Sequence, residues 1–258
     1  MQYESYFPLT AEELKDAYSL RDLFTKEFEF FDDVYDLTTM YLSNSKILST
    51  DANKVVASAL LIRAIEAART VKLAACIGLC ADASATSRTL IELLSILANA
   101  ASEPAFLEKY AKSSLTDGLR LHNAIRTDPE NRVLSDDKSY DSLKKEVDAE
   151  GAKKLPTVET LLKSVELNSA YDFAYRVHSG DVHVSPYSLN TYYTEDAQGE
   201  VTGFYLYPHE DEVPTVIVGS ASTLFECLVS WSKVIGVDVS ERAVVEKRRK
   251  DFVADRRK

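Results

Sequence analysis

Apolar positions return at three- and four-residue steps near the start of the chain. In "TAEELKDAYSLRDLFTKEFEFFDDVYDLTTMYL", Leu14, Tyr18, Leu20, Leu23, Phe24, Phe28, Phe31, Val34 and Leu37 share a helical face, and Thr10 with Glu13 supplies a capping box. The pattern predicts one long amphipathic helix, of a length that suits a bundle. A second helix is expected from about Asn53 to Cys80, with Val55, Leu60, Ile62, Ile65, Ala68 and Val71 inside. A third, from about Ala83 to Ala101, is nearly all apolar, and a fourth, "EPAFLEKYAKSSLTDGLRLHNAIRT", carries Pro104 at a tolerated first-turn position.

Between Asp128 and Pro156 charges dominate, which reads as an exposed insertion with one polar helix. Thr157 to Leu167 gives a short helix, and Ser169 with Asp172 caps a further one that Pro186 ends. The period then changes. "LNTYYTEDAQGEVTGFYLYPHEDEVPTVIVG" is rich in Tyr, Thr, Val and Phe around a "DAQG" turn, so a β-hairpin is expected over about 190 to 207, with a third short strand at 214 to 218. Ser220 restarts helix, and residues 240 to 258 form a basic terminal one. The expected fold class is mainly α: a single helical domain, a bundle with a small β-hairpin appendage.

Composition narrows the chemistry. At 258 residues and 45% hydrophobic, the chain resembles a soluble globular protein. The apolar run from Val55 is broken by Arg63, Glu66, Arg69 and Lys72, too many charges for a membrane span, and the N-terminus lacks a basic start followed by an apolar run. A cytoplasmic location away from membranes is the expectation. Cys76, Cys80 and Cys227 are an odd, sparse set; Cys76 and Cys80 share a face but lack further ligands for a metal, so buried thiols are expected and neither metal nor cofactor is implied. The net charge of −11 argues against a generally nucleic-acid-coating surface. Residues 240 to 258 nevertheless hold eight Lys and Arg against four acids, which suits an acidic partner, another subunit or RNA, or else a solvated helix. Gly-rich phosphate loops, nucleophile elbows and HExxH zinc motifs do not occur.

The densest chemistry is "YDFAYRVHSGDVHVSP", residues 171 to 186. Seven residues turn a helix through about 700°, so Arg176 and His183 share a face about 10.5 Å apart along the axis, with Ser179 between them. A guanidinium and an imidazole so placed can converge on one phosphate, the first holding anionic oxygens and the second moving protons. The structural alternative pairs Arg176 with Asp172, four residues earlier, stacks Tyr171 and Tyr175 on it, and leaves His178 to packing and His183 to the helix end. Arg88 and Glu92, four apart in "SRTLIEL", are either an internal ion pair that fixes the bundle register, or a second phosphate ligand with its orienting carboxylate. His122, between Arg120 and Arg126, is a weaker RNA-contact candidate, and His209 falls in the acidic "PHEDEVP".

An arginine and a histidine with six residues between them, on a late helix of an α-helical bundle, resemble the motif of the HEPN superfamily, many of whose members are RNases of bacterial toxin and phage-defence systems. The pattern Y-x3-Y-R-x2-S-x3-H-x-S from Tyr171 to Ser185, with "SRTLIEL", also resembles a bacterial helical family of uncharacterised function over about residues 50 to 235. The HEPN likeness implies a metal-independent endoribonuclease in which His183 transfers protons and Arg176 stabilises the phosphate, supported by Ser179, Tyr175, Arg88 and Glu92. It also implies a homodimer. Val177 departs from the polar residue that often follows the arginine in nucleases. Other HEPN relatives are non-catalytic, which keeps open an interaction or sensor module in a toxin–antitoxin or defence system.

Overall fold

The computed structural model describes residues 19–128, 130–132, 136–170, 175, 193–204 and 212–255. Within them the chain is mainly α, a helical bundle with a small β-hairpin. The helices are α1 (Ser19–Leu23), α2 (Thr25–Asn44), α3 (Ala52–Cys76), α4 (Cys80–Ser102), α5 (Phe106–Thr127), α6 (Asp137–Glu150), α7 (Val158–Ser164), α8 (Val213–Ile235) and α9 (Arg242–Asp255). Strands β1 (Tyr193–Glu195) and β2 (Val201–Phe204) pair antiparallel.

Helix α8 is the axis of the bundle, packed against α2, α3 and α4, while α3 and α4 pack on each other. It is long and apolar enough to cross a membrane, yet 67% of its most apolar window is buried inside the protein. Trp231, Leu224, Leu228 and Ile217 of α8 meet Phe28, Phe30 and Phe31 of α2, Leu61 of α3 and Leu90 and Leu97 of α4 in one contiguous core. Trp231 Nε1 donates to the Ser58 hydroxyl at 3.0 Å, which satisfies a donor that burial would otherwise penalise. Cys76, Cys80 and Cys227 are buried thiols outside any disulfide among the described residues, and burial pushes those of Cys76 and Cys227 above their ordinary pKa.

Helix boundaries follow local chemistry. The Asp51 side chain accepts from Lys54 N at the start of α3, and Thr157 accepts from Thr160 N at the start of α7. Gly78 at φ 76° separates α3 from α4, and Gly236 at φ 83° ends α8. The "DAQG" turn closes the hairpin: Gly199, at φ 81°, donates to Asp196 O, and the Asp196 carboxylate accepts from Gln198 N and Glu200 N.

Four expectations are corrected. The first helix is interrupted at Phe24, where the Thr25 hydroxyl donates to Asp22 O instead of leaving that carbonyl to the helix ladder, and Leu23 is exposed. In α3, Val55 and Ile62 are 42% and 47% exposed, not inside. Pro104 precedes α5, which begins at Phe106. The expected strand at 214 to 218 is the opening of α8, which starts at Val213 with Pro214 in its first turn, so helix resumes before Ser220. Its β-branched run is buried against the bundle, and a buried run of that length is equally compatible with strand or helix. The polar insertion does carry one polar helix: α6 buries no residue and packs chiefly on α5, with Tyr140, Leu143 and Val147 half-buried.

Candidate functional site

Helix α4 turns its buried face, including Ser87, Leu90, Ile91 and Leu94, toward α3 and α8. Arg88 and Glu92 fall on the half-buried edge, one turn apart. The Arg88 Nε donates to Glu92 Oε1 at 3.2 Å, with side-chain exposures of 21% and 40%. Tyr175 completes a ring of three: its hydroxyl accepts from Arg88 Nη2 at 2.8 Å and donates to Glu92 Oε1 at 3.2 Å. The guanidinium carbon sits 4.8 Å from the Tyr175 ring centroid. Burial raises the Tyr175 pKa above its ordinary value, against the opposing pull of the Arg88 hydrogen bond, so at neutral pH the phenol keeps its proton and can donate to Glu92.

The chain reaches this point by way of α7. Asn99, near the end of α4, is 9% exposed; its amide donates to Leu161 O at 2.8 Å, and its carbonyl oxygen accepts from the Ser164 hydroxyl at 2.8 Å. Those bonds seat α7 on α4. Eleven residues after Ser164, Tyr175 meets the same helix about two turns nearer its start. Two sites on one helix thus bond α7 and Tyr175.

Of the six residues singled out from the sequence, the structure brings together Arg88, Glu92 and Tyr175. Arg176, Ser179 and His183 lie outside the described residues, as do Tyr171, Asp172, His178 and His209. His122 is half-buried on α5. Its arginine neighbours are engaged: Arg120 pairs with Asp117 at 3.6 Å, and Arg126 pairs with Asp137 at 3.1 Å and lies over the Tyr140 ring. The basic terminal helix is also engaged by its own chain. Arg248 pairs with Asp33 of α2, Arg249 with Glu226 of α8 at 3.5 Å, and Phe252 meets Phe30 at 5.3 Å between centroids. Among the described residues no group of three or more His, Cys, Asp or Glu could hold a metal ion.

Sequence reasoning did not find Asn99, although an amide within the apolar "SILANAAS" was a signal for a buried polar contact. It also missed Asp32, which takes both Arg21, at 3.1 Å, and Lys72 and so ties α1 and α3 to α2.

The fold and this site define a mainly α protein in which Tyr175 is bonded to a charged edge of a core helix. The chain belongs to the family described as Family of unknown function (DUF5677), which it matches over residues 54–200, more than half its length. The match runs from the first turn of α3 through α7 and Tyr175 to β1. No curated protein and no solved structure matches the chain.

Proposed function

We propose that this protein is a HEPN-like, metal-independent endoribonuclease, of the kind found in bacterial toxin and phage-defence systems, with Arg176 and His183 as its catalytic pair. The observation that supports this most is the clamp on Tyr175. Tyr175, the residue directly before Arg176 in the sequence, is bonded to a second arginine and a carboxylate at a half-buried edge. A fixed approach matters because a phosphate must be gripped in one geometry for in-line attack.

In the proposed reaction His183 removes the proton from an RNA 2′-hydroxyl, and the 2′ oxygen attacks the adjacent phosphorus. Arg176 stabilises the dianionic phosphorane, and the 5′ oxygen leaves as it takes the proton that His183 has accepted, giving a 2′,3′-cyclic phosphate and a 5′-hydroxyl. Ser179 supports the phosphate from between the two, while Arg88 and Glu92 act through Tyr175. Two protomers meet in the working enzyme.

The test is RNA cleavage in EDTA by the wild-type protein, Arg176→Ala and His183→Ala, with circular dichroism as a check of folding. The expected result is metal-independent cleavage that falls by about a hundredfold or more in each folded variant. No cleavage by the wild type, or equal cleavage by all three, would sink the proposal. The alternative, a non-catalytic interaction or sensor module, draws support from the net charge of −11 and from the self-neutralised α9, whose arginines face acids of the same chain. On that reading the alanine variants lose a protein partner and cleave nothing.

A further inference from the structure

Helix α3 carries two apolar stripes. One, from Ala57 through Leu61, Ala64, Ala68 and Val71 to Ala75, lies in the core. The other faces outward: Val55, Ala59, Ile62, Glu66, Arg69 and Leu73 follow one another at steps of four, three, four, three and four residues, and all six are exposed. Val55 is 42%, Ile62 47% and Leu73 55% exposed, so one helix face shows three of the ten large exposed hydrophobics among the described residues. Steps that alternate between four and three average 3.5 residues, the spacing that keeps a seam in contact with another helix crossing at about 20°.

The seam is self-complementary. Its last four positions read Ile62, Glu66, Arg69, Leu73: apolar, acid, base, apolar, with the same spacing from either end. In two antiparallel copies of α3, residues whose numbers sum to a constant lie at one level. One register puts Ile62 of each copy against Leu73 of the other and Glu66 of each against Arg69 of the other, so the apolar pair and the ion pair each form twice. A parallel pairing sets Glu66 on Glu66 and Arg69 on Arg69. An antiparallel register that matches Val55 with Leu73 sets Ile62 on Glu66, an apolar side chain on a charge. Among the described residues Glu66 pairs with the exposed Arg63 alone, at 3.1 Å, and Arg69 forms no ion pair.

We propose that the outward face of α3 is a homodimer interface, occupied by α3 of a second copy of this chain in the antiparallel register that pairs Glu66 with Arg69. It is tested separately from the nuclease reading, since an inactive protein can still dimerise through α3, and an active dimer indifferent to Glu66 and Arg69 would overturn the seam alone.

The test measures solution mass by sedimentation velocity for the full chain and three variants, each checked for unaltered helicity. The wild type is expected at twice the 28.8 kDa of one chain. Glu66→Arg and Arg69→Glu, each setting like charges face to face, are expected to raise the dimer dissociation constant at least tenfold. An equimolar mixture of those two variants regains the dimer, because one chain then offers two bases to the other's two acids. The double variant, Glu66→Arg with Arg69→Glu, regains it alone. A wild type that stays monomeric at high micromolar concentration would overturn the proposal and leave the face to some other protein. So would a dimer indifferent to both single changes, or single variants that fail to restore each other.

Discussion

One buried hydrogen bond and one half-buried one show how tolerance varies with distance from the core. Ser58 is 7% exposed and is the recorded acceptor for Trp231, the chain's one tryptophan, at the centre of the core. Ser58→Ala removes the acceptor and leaves an indole N–H in an apolar interior, a change that costs about 1–3 kcal/mol. Urea unfolding followed by tryptophan fluorescence reads this as a lower midpoint at unchanged slope. Tyr175→Phe is milder. The ring keeps its place over Arg88, the bridge to Glu92 is lost, and the loss is about 1 kcal/mol because both former partners stay half-exposed to water. A loss near that of Ser58→Ala would mean that the clamp is part of the core. At this scale the sequence disclosed the Arg88–Glu92 pair, since two charges one helical turn apart interact whatever the fold does. It offered Tyr175 as a supporting residue but not its bond to Glu92, because a contact across 83 residues leaves no trace in spacing.

Helices differ in how firmly they are held, and the differences follow from what each buries. Helix α8 buries more than half its residues, whereas α6 buries none and packs chiefly on α5. Amide hydrogens of residues 137–150 are therefore expected to exchange by local opening well ahead of those of residues 216–232, readable by exchange mass spectrometry. Equal protection of the two would contradict this placement of α6. The end of α8 gives a sharper case. Gly236 holds φ 83° while its N–H and that of Val237 donate to Ser232 O, and an added Cβ would meet nothing within 4 Å. Gly236→Ala should therefore cost about 1 kcal/mol or somewhat more from backbone conformation alone, seen as a lowered unfolding midpoint. Most helices were legible as elements, since a 3.6-residue period survives wherever one face is dry. What the period could not supply was direction. Helix α3 is apolar on two sides, so Val55 and Ile62 fitted the core pattern as well as Leu61 did. The "VPTVIVG" run fitted strand as well as helix until α2, α3 and α4 were seen to surround it. The break at Phe24 was hidden for a related reason: apolar spacing carries across a one-residue interruption.

Stability of the whole molecule against pH draws on groups scattered over it, and its shape follows from the direction of each shift. On the acid side, Glu241 is held below its ordinary pKa by the Tyr41 hydroxyl, Glu246 by Arg242, and Asp136 by the Ser139 hydroxyl. A carboxyl lowered by folding contributes stability above its unfolded value, about 4, and loses it as pH falls through the folded value, so the melting temperature should decline below about pH 4. On the alkaline side the sign reverses. Burial raises the Cys227 thiol, whose Sγ lies 3.9 Å from Leu90 O in the core, and burial also raises Cys76. Below the ordinary thiol value of about 9 both states keep the proton; above it the unfolded chain releases a proton that the fold retains, and stability falls as pH rises. One such thiol contributes a slope of at most about 1.4 kcal/mol per pH unit. Thermal unfolding should accordingly show a plateau through neutral pH with a fall on each side. Cys227→Ala lowers the plateau through the small cavity it leaves, and it also makes the decline between about pH 9 and 11 shallower, which a cavity alone cannot do. Parallel curves for wild type and variant across that range would show that the thiol titrates alike in both states, and would place it nearer to water than the core position between α8 and α4 allows.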